Sequence, residues 1–314
     1  MAPPNGLSDV VPVRVVLQAM LLPCALLAYA QEPPRFSSAT DLVVLHVSVT
    51  DKKGRVVDGL PRQSFSVLED RQPQPIAFFG SDELPVTAGL ILDNSISMFG
   101  VLDRLVAAAS AFAETSDPRD EIFALAFNEH VRAALPAERP FTNDAAVLRD
   151  AVSSVVTARG RTALFDAVRS ALEYAARGRH TRRVLVLISD GGDNASTATF
   201  ADALALTQAS NAVIYAVVLT DPAGRDAKPE NLKRLAAGTG GLVFTPRSVR
   251  DLSDVLRRIA TVIRQTYTVG YVPTAPLDGT FRRLQVVVKT PDGRALVVRT
   301  RGGYLAAHAR GGKS

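Results

Sequence analysis

Hydrophobic residues follow two different periods along the chain, and the period changes twice. Between residues 41 and 79, apolar and polar positions alternate in short runs rich in β-branched residues, a pattern typical of half-buried strands. Between 84 and 265, short continuous apolar runs alternate with amphipathic stretches, as they do in a parallel sheet covered on both faces. Strand patterns return beyond residue 266. The sequence therefore predicts a central α/β domain between two β segments.

The central domain is predicted to hold six strands and six helices. We expect strands at residues 86–92, 122–127, 130–134, 184–189, 213–219 and 242–244. We expect helices at residues 102–114, 145–156, 164–177, 200–210, 229–237 and 249–265. Side chains that are able to accept the first free helix amides are present at Thr142-Asn143-Asp144, Thr199 and Ser248. Gly238-Thr239-Gly240-Gly241 leads from a helix into a strand and is interpreted as a turn rather than a phosphate-binding loop.

Each flanking β segment is too short to close a core alone, so both are expected to build one β-sandwich-like domain. The predicted domains are an N-terminal β segment at 36–83, the α/β domain at 85–265, a C-terminal β segment at 266–305 that packs with the first, and a flexible tail at 306–314. Strands are expected at 267–272, 281–290 and 295–301. The sequence Pro291-Asp292-Gly293-Arg294 predicts a hairpin between the last two.

The first thirty residues have the pattern of a secretory signal. Arg14 precedes an apolar core, and Ala28-x-Ala30 offers a small-residue cleavage site. The core is shorter than the roughly 20 residues that a bilayer requires, and no later stretch is expected to span a membrane. Cleavage would remove Cys24, the single cysteine of the chain. We therefore predict an exported protein that is periplasmic, cell-surface or extracellular, with no disulfide.

Basic residues are concentrated near the C-terminus of a chain whose formal net charge is +5. Such a patch is able to attract nucleic acid or anionic lipid, but alternating charge on strands requires no partner. We interpret it as a solvated strand face and tail, and we expect no nucleic-acid partner. The residues concerned are Arg282, Arg283, Lys289, Arg294, Arg299, Arg301, Arg310 and Lys313.

Oxygen-bearing side chains follow two of the predicted buried strands. Asp93-x-Ser95-x-Ser97 ends the first strand of the central domain, Asp190 ends another, and Thr162 precedes a predicted helix. In open α/β sheets, ligands bind at the edge formed by the carboxyl ends of the parallel strands. Carboxylates and hydroxyls suit Mg²⁺, Mn²⁺ or Ca²⁺, whereas Zn²⁺ prefers His and Cys. The sequence thus predicts a divalent cation site, with Mg²⁺ as the expected ion.

In order and spacing, this motif resembles the metal-ion-dependent adhesion site of von Willebrand factor type A domains. The resemblance covers roughly residues 85–265, and it implies a Rossmann-like fold with a central, mostly parallel sheet flanked by helices. The flanks are similar to those of an exported bacterial subfamily first described from acidobacteria, through Asp51-Lys52-Lys53-Gly54, Leu60, residues 65–70 and residues 267–273. Ile96 is a departure, because many members have glycine there.

The resemblance also implies roles for the five side chains. Ser95, Ser97 and Thr162 would contact the ion directly, with Asp93 and Asp190 acting partly through water. An Asp or Glu of a protein partner would then complete the coordination. We accordingly predict an exported binding or adhesion module and not an enzyme.

Two other functions stay open at this point. A metal-dependent hydrolase would need a general base near the ion, and Asp166, Asp193 and Glu129 are the candidates. A structural envelope protein would bind through its β domain instead. Asp166 and Asp193 are equally compatible with a role in orienting the ligands of the ion and with a purely structural role. Asn94 is expected on the surface beside the ion.

Overall fold

The computed structural model describes residues 42–80, 84–219, 227–276, 278–290 and 292–306. The expected signal peptide and nearly all of the expected tail lie outside the described residues. The strands are β1 (Val43–Thr50), β2 (Phe65–Glu69), β3 (Gln72–Gln74), β4 (Ile76–Gly80), β5 (Thr87–Asp93), β6 (Glu121–Phe127), β7 (Val131–Ala133), β8 (Arg183–Ser189), β9 (Ala212–Val218), β10 (Val243–Phe244), β11 (Tyr267–Tyr271), β12 (Phe281–Val288), β13 (Val297–Arg299) and β14 (Gly303–Leu305). The helices are α1 (Leu102–Thr115), α2 (Ala145–Val155), α3 (Leu164–Ala175), α4 (Phe200–Ala209), α5 (Pro229–Thr239) and α6 (Leu252–Arg264).

The central sheet has the strand order β10-β9-β8-β5-β6-β7 and is parallel except for β7. Every residue of β5, β6 and β9 is buried, which explains why these strands are continuous apolar runs without alternation. Helices α1, α2 and α6 contribute to the core on one face, and α3, α4 and α5 to the core on the other. The predicted α/β fold with helices on both faces is confirmed.

The two flanks form a second core beside this sheet. One four-stranded sheet has the order β13-β1-β11-β4, and the other has the order β14-β12-β2-β3. Each sheet combines strands from before and after the α/β domain. Leu45, Val67, Tyr267, Val269 and Val286 belong to one buried cluster between the two sheets. The smaller β-sandwich expected from the flanks is therefore present.

The hairpin predicted between the last two expected strands is wrong. The local turn does form, because Gly293 N donates a 3.0 Å hydrogen bond to Thr290 O. However, β12 pairs with β2 and β14, whereas β13 pairs with β1 in the opposite sheet. Turn chemistry is local and cannot report which sheet receives the following strand. The chain crosses between the sheets here, and β14 was not anticipated.

Two helix boundaries follow the expected capping chemistry. Asp144 Oδ1 accepts hydrogen bonds from the N–H groups of Ala146 and Val147 at the start of α2. At the C-terminal end of α5, Gly240 directly follows the last helical residue, and its φ of 78° is left-handed and favours glycine. The turn expected at residues 238–241 is shorter than predicted, because Gly238 and Thr239 still belong to α5 and the chain leaves the helix at Gly240.

The segment Ile96–Thr115 is long and apolar enough, by length and composition, to cross a membrane. This corrects the expectation that no stretch after the signal meets that test. Its apolar face is used within the fold, since Leu105, Ala108 and Phe112 are buried in the core between the sheet and α2 and α6. We therefore assign it as a core helix.

Candidate metal centre

Strands β5 and β8 place two of the candidate side chains at one edge of the central sheet. The strands are parallel neighbours in which Leu92 is paired with Ile188. Asp93 is the last residue of β5, and Asp190 directly follows β8. Ser95 and Ser97 lie at the start of a short 3-10 helix that leads into α1. The carboxyl edge of the sheet thus carries four of the five predicted residues.

The carboxylate of Asp93 is the centre of a hydrogen-bond network. Its Oδ1 accepts from Ser95 N at 2.9 Å and from Ser95 Oγ at 2.6 Å. Its Oδ2 accepts from Ser189 Oγ at 2.6 Å. Ser95 Oγ lies 3.1 Å from Ser97 Oγ. Because Asp93 is completely buried, it holds the serine hydroxyls in place rather than facing solvent itself.

The electrostatic setting of Asp93 favours a nearby cation. Burial raises the pKa of Asp93 to about 6, and the charge of Asp190 adds to the rise, while hydrogen bonds from Ser189 and Ser95 oppose it. A cation close to Asp93 and Asp190 would stabilise the ionised form of both carboxyl groups.

The loop after β8 is fixed by its own backbone. Gly191 N donates to Ser189 Oγ at 3.0 Å, and Gly192 N donates to Asp190 Oδ1 at 2.8 Å. Gly191 has a φ of 83°, and any Cβ there would collide with the backbone of Lys228. Only glycine is tolerated at position 191, so Gly191 is a structural requirement of the loop that presents Asp190.

Thr162 is held in a third loop that is bonded to the other two. Its N–H donates to Asn194 Oδ1 at 2.8 Å, and its carbonyl accepts from Asn194 N at 2.9 Å. On the other side of this loop, Ile96 N donates to Gly160 O at 3.2 Å, and Arg159 N donates to Asn94 O at 3.0 Å. The backbones of the three loops are therefore joined directly.

Asn94 does not lie on the surface as expected. It is buried, and its Oδ1 accepts hydrogen bonds from Thr157 N and Ala158 N. Its Nδ2 donates to Val155 O at 3.3 Å. The side chain points away from solvent because it fastens the loop before Thr162 to the end of β5.

Asp166 and Asp193 both have structural partners. Asp166 accepts from Thr197 N at 2.8 Å and from Ala198 N at 3.0 Å, which ties the first turn of α3 to the loop after β8. Asp193 Oδ1 accepts from Ser196 Oγ and from Phe165 N. These bonds support the structural interpretation that the sequence left open.

Sequence reasoning missed Ser189 and Asn194 and placed Asn94 on the surface, although all three residues build the site. Ser189 had a detectable signal, because it is a hydroxyl at the end of an apolar strand, directly before a candidate ligand. The two asparagines had none, since their partners are loops that are 32 or more positions away in sequence.

The donor set fits a small, hard cation. Among the residues that the structure describes, no group of three or more His, Cys, Asp and Glu side chains is placed to hold a metal ion. Any ion here therefore depends on hydroxyls. Ser95 Oγ and Ser97 Oγ lie 3.1 Å apart. This separation allows both to contact one small cation, since adjacent oxygens around octahedral Mg²⁺ lie about 2.9 Å apart and those around Ca²⁺ more than about 3.2 Å apart.

Comparisons with solved structures find the same fold in other proteins. A von Willebrand factor type A protein from Catenulispora acidiphila is 16% identical with a TM-score of 0.50, and the match covers 86% of this chain and 74% of that one. At this identity the likeness shows the fold alone.

Two other solved structures have a lower TM-score of 0.48. One is the vWF domain of the type V pili tip protein Mfa5 from Porphyromonas gingivalis, which is 13% identical over 58% of this chain and 95% of that one. The other is proximal thread matrix protein 1 from the mussel byssus, with a zinc-occupied MIDAS motif, which is 14% identical over 62% of this chain and 49% of that one.

A search of curated proteins finds no match. The family model of the von Willebrand factor type A domain matches residues 89–258, which is more than half of the chain. This protein is therefore a member of the von Willebrand factor type A domain family.

Proposed function

We propose that this protein binds a divalent cation and, through that ion, an acidic residue of a protein partner. The ligands would be Asp93, Ser95, Ser97, Thr162 and Asp190, and Mg²⁺ is the proposed ion. The observation that carries the proposal is the hydrogen-bonded series from Asp93 through Ser95 Oγ to Ser97 Oγ at the carboxyl edge of the sheet. Domains of this family bind divalent cations at such a site and generally mediate protein interactions.

The balance of charge explains why a partner's carboxylate is the expected additional ligand. Three of the five donors are neutral hydroxyls, and both oxygens of Asp93 already accept hydrogen bonds from serines. An ion in this setting keeps much of its positive charge. A carboxylate from a second molecule would neutralise it, and the attraction is strong where water is displaced.

Apolar side chains beside the donors provide contact area for such a partner. Ile96 is 64% exposed and Phe99 is 76% exposed, and both lie in the 3-10 helix that carries Ser97. Exposed large apolar residues close to a candidate site are typical of interaction surfaces. The partner surface would therefore place apolar side chains next to its acidic residue.

Each of the three candidate general bases for the hydrolase alternative already accepts a backbone hydrogen bond. Asp166 and Asp193 accept hydrogen bonds from backbone N–H groups, and Glu129 Oε1 accepts from Arg161 N at 3.1 Å. These bonds hold the three carboxylates in the loop framework. The arrangement supports binding rather than proton abstraction, and we propose that the protein is not an enzyme.

The location of the protein follows from its N-terminal sequence pattern. The apolar stretch before residue 31, with Ala28-x-Ala30 at its end, supports export. We propose that the protein acts in the periplasm, at the cell surface or outside the cell. A partner that presents Asp or Glu would be encountered there.

The experiment is capture of envelope proteins by the immobilised protein in Mg²⁺ and in EDTA, beside the Ser97→Ala variant. We expect one set of partners that is retained in Mg²⁺, released by EDTA and absent with Ser97→Ala. Capture that is identical in Mg²⁺ and EDTA would instead support binding through the β-sandwich. Turnover of model esters or phosphates that is lost with Ser97→Ala would support the hydrolase.

A further inference from the structure

A cleft of about 770 Å³ lies between the α/β domain and the β-sandwich, away from the candidate metal centre. Residues of α5, β10 and α6 line one side, and residues of β12 and β13 line the other. Its volume is in the range of ligand-binding sites. None of the five proposed metal ligands lines this cleft.

An edge of the central sheet opens into the cleft. Within the described part of the chain, β10 is hydrogen-bonded to β9 and has no strand on its other side. Val243 of this strand is 37% exposed. The outer edge of such a strand presents backbone N–H and C=O groups that are able to pair with another extended chain.

The charge of the cleft is positive. Lys233, Arg258 and Arg299 line it, and no Asp or Glu is present among its described lining residues. Arg258 is held in position, because its Nη2 donates to Gly54 O at 2.9 Å and its guanidinium lies 5.8 Å from the ring centre of Phe244. Arg299 is exposed on β13 and belongs to the basic C-terminal group that the sequence analysis interpreted as a solvated face.

Apolar side chains complete the surface. The partly exposed apolar side chains are Val298 on the sandwich side of the cleft and Leu242 and Val255 on the opposite side. A site for a small anion alone would not need this apolar area. An extended peptide is able to use the charged surface and the apolar surface together, because successive side chains of a strand point to opposite faces.

We propose that this cleft binds an extended acidic segment of a partner protein, which pairs with β10 as an additional strand. Backbone hydrogen bonds to the free edge of β10 would hold the segment, as in known cases of strand addition. Its acidic side chains would face Arg258, Arg299 and Lys233, and its apolar side chains would contact Val255 and Val298. Binding of the segment in the cleft would not require an ion at the metal centre.

The test is calorimetric titration of the full chain with a peptide of about eight alternating Glu and Val residues, a usual strand length. EDTA is present throughout, so that no cation bridges the peptide to the metal centre. Three further titrants are an alternating Lys and Val peptide, the Glu and Val peptide with N-methylated backbone amides, and inorganic phosphate. The variant is Arg299→Glu, and the matched control is Arg132→Glu on β7, the opposite edge strand of the central sheet.

We expect the Glu and Val peptide to bind, with affinity reduced about ten-fold by Arg299→Glu and unchanged by Arg132→Glu. The N-methylated and Lys-containing peptides should bind at least about ten-fold more weakly, and phosphate should not compete. The absence of binding in EDTA, or equal loss in both variants, would overturn the proposal. Equal binding of the N-methylated peptide, or displacement by phosphate, would identify a small-anion site instead and would also overturn it.

Discussion

The hydroxyl of Ser189 donates a 2.6 Å hydrogen bond to Asp93 Oδ2 and so joins the carboxyl ends of β5 and β8. This bond orients a carboxylate that we propose as a metal ligand. Ser189→Ala should weaken Mg²⁺ affinity about 10- to 100-fold, because such supporting partners orient the ligands themselves. Calorimetric titration with Mg²⁺ measures the effect.

Ser154→Ala is the matched control for Ser189→Ala, since Ser154 Oγ donates to Ala151 O within α2. Its Mg²⁺ affinity should equal that of the wild type. Retention of full affinity in a folded Ser189→Ala protein would contradict the assigned role of Ser189.

Asp166 ties α3 to the loop after β8 through the N–H groups of Thr197 and Ala198. Asp166→Asn keeps one acceptor oxygen, so we expect the free energy of unfolding to fall by about 1 kcal/mol. The Mg²⁺ affinity should fall less than it does in Ser97→Ala. Urea denaturation and calorimetry measure the two quantities, with exposed Asp150→Asn as the control. A large loss of affinity without loss of stability would instead place Asp166 among the residues that act on the ion.

Gly89 lies in the middle of β5, where a Cβ would overlap the ring of Phe123 on the neighbouring strand. Gly89→Ala should therefore lower the free energy of unfolding by about 1–3 kcal/mol through overpacking. The double variant Gly89→Ala, Phe123→Leu should be more stable than the sum of the two single changes predicts, because Leu leaves room for the methyl group. Strict additivity in urea denaturation would contradict this account of the packing.

His46 on β1 gives the folded protein a specific dependence on pH. Burial, followed by the charges of Arg182 and Arg301, lowers the pKa of His46 to about 3 from its ordinary value of 6.5. Between these values the unfolded chain binds a proton that the folded chain does not, so stability falls as pH drops from 6.5 towards 3. His46→Gln should lose less stability over this range. Urea denaturation of both proteins across the range measures the difference, and identical pH dependence would contradict it.

The sequence was sufficient for the central domain because its information there is local. Each buried strand is a short apolar run, and the Asp93-x-Ser95-x-Ser97 motif lies within one turn at the end of such a run. The proposed ligands Asp93 and Asp190 share an edge simply because β5 and β8 are parallel neighbours.

The errors arose where distant segments meet. Asn94 was expected on the surface, but its partners Thr157 and Ala158 follow α2, and nothing near Asn94 in the sequence indicates that contact. The turn at Gly293 was recognised from its residues, yet the pairing of β13 with β1 depends on how the two sheets of the sandwich share one core.

The most direct test of the central claim is Mg²⁺ titration of the wild type and Ser97→Ala by calorimetry, followed by titration of each Mg²⁺-loaded protein with acetate as a model carboxylate. Ser97 Oγ lies 3.1 Å from Ser95 Oγ, and its removal deletes one neutral donor without adding charge. We expect saturable Mg²⁺ binding and Mg²⁺-dependent acetate binding in the wild type, with both reduced at least about ten-fold in folded Ser97→Ala. Equal Mg²⁺ binding by the two proteins, or none by the wild type, would contradict the claim that these loops hold a cation for a partner to complete.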